Sequence, residues 1–153
     1  MTASRFQRIL VALDDSPRAA GVLAAAIDVA RRFGGKMLLF RAVGIPLEIP
    51  PAALSLPPSA LPEMLEAHAR DDLAERARAV PPELLAKTAV KIGVPWQAIC
   101  REATEEDADL VILGSHGYGG IDRLIGTTAS RVVHHADRPV MIVRDRPNRR
   151  ATA

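Results

Sequence analysis

LVILGSHGYGGIDRLIGTT, residues 110–128, is the stretch whose reading decides the fold. Leu110 to Leu113 form a continuous apolar run, which predicts a buried strand. Beyond the stretch, Ala129, Val132, Val133 and Ala136 recur at i, i+3, i+4 and i+7, which predicts a helix. A glycine-rich connection from strand to helix suits an anion. Glycine lets the backbone approach closely, and the free N–H groups of a helix start face the negative charge. Gly114, Gly117 and Gly126 would shape this loop, and Thr127 and Thr128 would supply hydroxyls and a candidate N-cap. Two readings fit: a phosphate-binding loop, or a tight turn followed by an ordinary cap. The GxxxxGK[ST] pattern of a P-loop is absent, and the loop follows a late strand rather than the first, so the usual dinucleotide fingerprint matches poorly too.

The rest of the chain alternates in the same way. Phe6 to Leu13 reads as a first strand. Asp14-Asp15-Ser16-Pro17 follows it, with Ser16 able to cap a helix and Pro17 suited to its first position. Ala19, Leu23, Ala26, Ile27 and Ala30 make an apolar helix face, ended by Gly34-Gly35. Met37 to Val43 is a second strand. Residues 44–62 then carry six prolines and are expected to be a long irregular loop, mobile without ligand. A second helix is expected over Glu63 to Ala79, with Leu65, Ala69, Leu73 and Ala77 spaced by four and Pro81-Pro82 stopping it. Lys87 to Ile92 is a third strand. Trp96, Ile99, Cys100 and Ala103 lie on a short helix that ends in Glu105-Glu106-Asp107, expected to be a solvated turn. Pro139 to Val143 is the last strand. The βαβαβαβαβ order implies an open parallel sheet with helices on both faces and right-handed crossovers. Ligands of such sheets bind outside the C-terminal strand ends, where strand order reverses. If the first and fourth strands are neighbours there, Asp14 and Gly114 flank one crevice.

Composition narrows the class. A chain of 153 residues with 48% apolar and 25% charged residues reads as one ordinary globular domain. Aromatic residues make up only 3%, so the core must be aliphatic and rich in alanine. No apolar run reaches membrane-spanning length, and the N-terminal residues show no signal-peptide pattern. The single cysteine, Cys100, makes no intrachain disulfide and fits a reducing cytoplasm, the expected location, as a small core residue. The net charge of +2 conceals an uneven distribution: residues 144–153 carry +3, which leaves the rest at −1. Without aromatic platforms or a basic stripe on the body, nucleic-acid binding is not expected, and residues 146–153 read as a basic disordered tail.

The quoted motifs resemble the universal stress protein family. Its signature is G-x2-G-x9-G-[ST] after the fourth strand, with Asp at the end of the first. Gly114-x2-Gly117, Gly126-Thr127 and Asp14 match, while the spacer Tyr118 to Ile125 has eight residues rather than nine, which tightens the loop. GVPWQAI, ADLVILGSHG and ADRPVMIVR extend the similarity over roughly residues 5–145, taken as the family domain over 1–145. The resemblance implies a five-stranded parallel sheet in order 3-2-1-4-5, an adenine nucleotide alpha hydrolase-like fold, and a cytoplasmic protein that is commonly a homodimer. It implies the ATP-binding subclass, with Mg²⁺ held mainly by the phosphates. By position, Ala12, Leu13 and Asp14 would meet the adenosine end, Val43 would offer backbone to adenine, and Leu113 and Gly114 would border the ribose. Gly117, Gly126, Thr127 and Thr128 would line the phosphates.

Plainer roles stand beside these. Asp14, Asp15 or Ser16 could simply cap the first helix. His116 could meet a phosphate or face solvent. His134-His135 read as C-terminal helix residues helped by the dipole, because adjacent helix positions diverge by about 100° and seldom share a metal. Tyr118 and Arg123 are surface residues by default. The chain offers no Ser-His-Asp set, no paired carboxylates on the loop and no lysine within it. Phosphoryl transfer needs positioning and charge neutralisation, so a nucleotide-dependent binding or signalling protein with little or no ATPase activity is the leading expectation. The alternatives are a nucleotide-independent dimeric stress factor and a slow hydrolase. The dimer is expected to form through residues 139–143, an apolar edge strand that invites pairing.

Overall fold

The computed structural model describes residues 5–45, 48, 51–115 and 126–144. In chain order the elements are β1 (Arg8–Ala12), α1 (Ala19–Phe33), β2 (Lys36–Val43), α2 (Ala60–Ala77), β3 (Leu85–Ile92), α3 (Pro95–Glu105), β4 (Leu110–Gly114), α4 (Thr127–His135) and β5 (Val140–Val143). The five strands form one parallel sheet in the order β3-β2-β1-β4-β5, as expected.

The sheet is buried on both faces because successive residues of each inner strand point to opposite sides. Ile9 and Val11 of β1 pack with Leu39, Ile112 and the buried face of α1. Leu10 packs the other way, with Phe40, Val111, Ile99 of α3 and Val132 of α4. The cores are aliphatic; Phe40 is the largest fully buried side chain.

The element ends show local chemistry overriding simple signals. α1 starts at Ala19, two residues after Pro17, with Arg18 as its N-cap residue. The Asp14 carboxylate accepts the Ser16 N–H at 3.0 Å, an Asx turn that delays the helix. Ser16, the expected N-cap, lies before the helix, and its carbonyl accepts the Ala19 N–H at 3.1 Å. Gly34 ends α1 with φ of 68°, in the left-handed region. Gly35 follows under tighter limits, because a Cβ there would lie 2.3 Å from the Phe6 carbonyl oxygen.

The proline-rich segment is shorter than expected. A 3-10 turn covers Pro51–Ala53, and α2 begins at Ala60, so Pro62 sits inside a helix. Its missing N–H falls in the first turn, where no intrahelical acceptor exists. At its other end α2 stops at Ala77, short of the expected Ala79. In α4, Ala129 and Val132 are buried, but Val133 is half exposed and lies off the core face. Glu105-Glu106-Asp107 is not merely solvated. Glu105 lies 2.7 Å from Lys91, Glu106 pairs with Lys87, and Asp107 lies 2.7 Å from Arg8. The first two pairs form because β3 presents its lysines beside the C-terminal turn of α3. Among the described residues no helix is long and apolar enough to cross a membrane.

Candidate functional site

Because β1 and β4 are neighbours while β2 lies on the other side of β1, strand order reverses at β1. The chains leaving β1 and β4 turn to opposite faces of the sheet and leave a gap at the C-terminal strand ends. A cleft of about 480 Å³ fills that gap. Such a volume lies in the range of small-molecule sites.

Seven of the expected residues line this cleft. Ala12, Leu13 and Asp14 come from the end of β1, Leu113 and Gly114 from β4, and Thr127 and Thr128 from the first turn of α4. Asp14 is exposed, and Leu13 is held in place by its N–H, which donates to the Phe40 carbonyl at 2.9 Å. The N-cap position of α1 falls on Arg18, so none of Asp14, Asp15 and Ser16 occupies it.

Two more expected residues stand close to the cleft but not on its wall. Val43 is buried at the end of β2, with its carbonyl accepting the Gly93 N–H at 3.0 Å, and Ala42 lines the cleft in its stead. Gly126 is the N-cap of α4, a place expected for a threonine hydroxyl. Its N–H donates to the Ser115 carbonyl at 2.7 Å, and its own carbonyl accepts the Ser130 N–H at 2.9 Å. Thr127 and Thr128 are thus the first two helical residues, and the N-cap glycine itself brings no side-chain oxygen to the helix start. His116 and Gly117 lie outside the described residues, as do Tyr118 and Arg123.

The cleft has a chemical gradient. Ala42, Pro95 and Ile99 give it an apolar wall, Asp14 and Asp15 an acidic corner, and Thr127 and Thr128 a hydroxyl-bearing corner at the positive end of the α4 dipole. Among the described lining residues there is no basic side chain. An anionic group is therefore favoured at the start of α4 and disfavoured beside the two aspartates. Pro95 and Ile99 belong to GVPWQAI, where Pro95 read as part of the turn and Ile99 as a helix residue; Pro95 is in fact the first residue of α3, and their separation of four places them on one face.

Among the described residues no three His, Cys, Asp or Glu side chains come together as metal ligands. His135 stacks on Trp96 at 4.4 Å and ties α4 to α3, and Arg131 lies 5.7 Å from the same ring. Cys100 is half-buried against the core below α3, where desolvation pushes its thiol pKa up and makes it a poor nucleophile.

The family model for the universal stress protein family matches residues 5–144. The chain belongs to the universal stress protein family. It is 32% identical to a universal stress protein of Thermus aquaticus over 147 residues, covering 91% of this chain and 99% of that one. The universal stress protein UspA from Lactobacillus plantarum superposes with a TM-score of 0.73 at 28% identity, covering 92% and 99% of the two chains. A universal stress protein solved in complex with cAMP has a TM-score of 0.60 at 22% identity, covering 92% and 98%. One from Archaeoglobus fulgidus, solved in complex with dAMP, has a TM-score of 0.54 at 20% identity, covering 92% and 99%. Nucleotides are thus ligands of solved members of this fold.

Proposed function

We propose that this universal stress protein binds an adenine nucleotide, ATP foremost, in the cleft between β1 and β4 and acts as a nucleotide-dependent stress-response or signalling protein. The observation that carries this reading is the joining of Asp14, Gly114, Thr127 and Thr128 around one cleft at the point where strand order reverses. The cAMP and dAMP complexes of other members support an adenine nucleotide over other anions. The base fits the apolar wall of Ala42, Pro95 and Ile99. The ribose lies by Leu113 and Gly114, with the acidic corner accepting from its hydroxyls. The phosphates approach Thr127 and Thr128 and the first N–H groups of α4, with His116 and Gly117 in the adjoining loop.

The residues fit Mg²⁺ only through the nucleotide, since the described part of the cleft brings two carboxylates, Asp14 and Asp15, and both stand at its acidic corner. Bound with ATP, the ion would neutralise phosphate charge. No described residue pairs a base with a cation near the phosphates, so binding without appreciable turnover is the expected behaviour. We place the homodimer contact on residues 139–143, because β5 is an edge of the sheet and Met141 is exposed there.

Calorimetry with ATP, ADP, AMP and cAMP tests the proposal, alongside mass spectrometry of the freshly purified, denatured protein. Micromolar or tighter ATP binding and co-purified ATP are expected; absence of binding by all four would overturn it. One observation favours a second reading, a nucleotide-independent stress factor: the Gly126 N–H, expected for a phosphate, is already bonded to Ser115. Scattering that reports a dimer, together with no nucleotide, would support that reading.

A further inference from the structure

Met37 to Val43 contains one charged residue, Arg41, and its side chain is only 12% exposed. Its Nη1 donates to Asp72 Oδ2 of α2 at 3.1 Å, and its Nη2 stands 3.7 Å from Asp15 Oδ2. The same Asp72 oxygen lies 3.4 Å from Nε of Arg76, one turn further along α2. Arg76 in turn donates through Nη2 to the Ser16 carbonyl at 3.3 Å. Charge alternates along Asp15, Arg41, Asp72 and Arg76, so no like charges adjoin. Two guanidiniums therefore grip the β1–α1 connection from the α2 side, and Asp15 and Ser16 line the cleft. Little else anchors α2 there: only Ala69 and Leu73 of its residues are buried.

We infer that Asp72 is a positioning residue for the cleft. By orienting Arg41 and Arg76 it fixes the Asp14–Ser16 connection, and so orders the acidic corner of the cleft before a ligand arrives. The ligand half of this inference rests on the adenine-nucleotide reading. A partly exposed ion pair adds little to stability by itself. A connection ordered in advance nevertheless spares the ligand the entropy of ordering it, which appears as affinity. The network meets the cleft at Asp15 and Ser16, away from the start of α4, so it acts on binding through the connection that carries Asp14.

The test compares Asp72→Ala with Leu73→Ala, which loosens α2 by removing an apolar contact instead. In the free protein, Asp72→Ala should speed amide hydrogen exchange at Asp15, Ser16 and Arg18 by about tenfold, with Leu73→Ala within about twofold of the parent. ATP affinity should fall about tenfold in Asp72→Ala, the weight of one charge-assisted hydrogen bond, and recover in Asp72→Glu. Equal exchange in Asp72→Ala and the parent, or an equal rise in Leu73→Ala, overturns the positioning role. A parent that binds no ATP defeats the adenine-nucleotide reading instead, and the exchange comparison then decides the positioning role alone.

Discussion

The two ends of the sheet are built to opposite rules. At the N-terminal strand ends, polar groups are answered from within. The Asp109 carboxylate accepts the Gln7 N–H at 2.9 Å and the Arg8 N–H at 3.1 Å. Arg138 donates to the carbonyls of Ala103 at 2.5 Å and Ala108 at 2.7 Å, satisfying the end of α3, and Gly35 lies against the Phe6 carbonyl with no room for a methyl group. At the C-terminal strand ends, a cleft stays open between a pair of aspartates and the start of a helix whose N-cap is a glycine. The difference separates charged residues that close the fold from those that line an open cleft, although both kinds look alike in the sequence.

Gly35→Ala should give the largest effect, and only at the closed end. A Cβ 2.3 Å from the Phe6 oxygen forces backbone to move, at a cost of about 3 kcal/mol. The melting temperature should drop sharply while the folded fraction binds ATP as the parent does. Lost affinity at unchanged stability would break the separation between the ends. Thr128→Asp should act the other way. A carboxylate in the first turn of α4 favours the helix dipole and should hold or raise the melting temperature. Near a phosphate it is repulsive by about 2 kcal/mol, so ATP affinity should fall at least tenfold. Equal affinity in calorimetry would mean that the phosphates lie elsewhere.

A third change probes the edge beside α3. Glu102 is 2% exposed, with its Oε2 2.7 Å from Lys91 Nζ. Hydrogen bonds to Glu102 and Glu105 raise the Lys91 pKa well above its usual value. A raised lysine pKa stabilises the fold below the unfolded value of about 10.4, and that contribution fades as pH climbs through the folded value. Glu105 behaves oppositely: its hydrogen bond to Lys91 lowers its pKa, so its contribution is present above the unfolded value and fades as pH falls through the folded one. Lys91→Met leaves a buried carboxylate without its cation and should cost about 1–2 kcal/mol, discounted because the lysine is half exposed. Denaturant midpoints across pH should show the parent's advantage at neutral pH narrowing towards strong base. A constant difference would reject the assignment.

Much of this organisation was legible beforehand because strand burial and helix periodicity are written in residue spacing. Alternation implied the parallel sheet, while its strand order and the residues expected at the ends of β1 and β4 and the start of α4 came from alternation and the glycine motif only with the family resemblance added. What stayed hidden depends on long-range partners. Arg41 drew no reading from the sequence, because Asp72 lies 31 positions away and Asp15 is brought near it only by the turn before α1. The acidic end of α3 looked solvated because the lysines that meet it belong to another strand. Pro62 looked like a loop residue because the rule against proline in helices relaxes in their first turn. Ser16 looked like the N-cap, but the helix starts two residues later, with Arg18 in that position.

The smallest change bears on the open end and separates its two kinds of donor. Thr127 is exposed at the first position of α4 and lines the cleft. Thr127→Val keeps the shape of the side chain and the backbone N–H but removes the hydroxyl. If phosphate is held mainly by backbone N–H groups and the helix dipole, the loss is one hydrogen bond, about 0.5–1.5 kcal/mol, or some threefold to tenfold in ATP affinity. A β-branched residue already stands there, so helix propensity changes little and the melting temperature without ligand should stay within about a degree. Calorimetry comparing ATP with adenosine sharpens the result. Adenosine binding should be unchanged, because the hydroxyl serves the phosphate end rather than the apolar wall. An equal loss for both ligands would place Thr127 against the nucleoside and reverse the orientation proposed for the cleft.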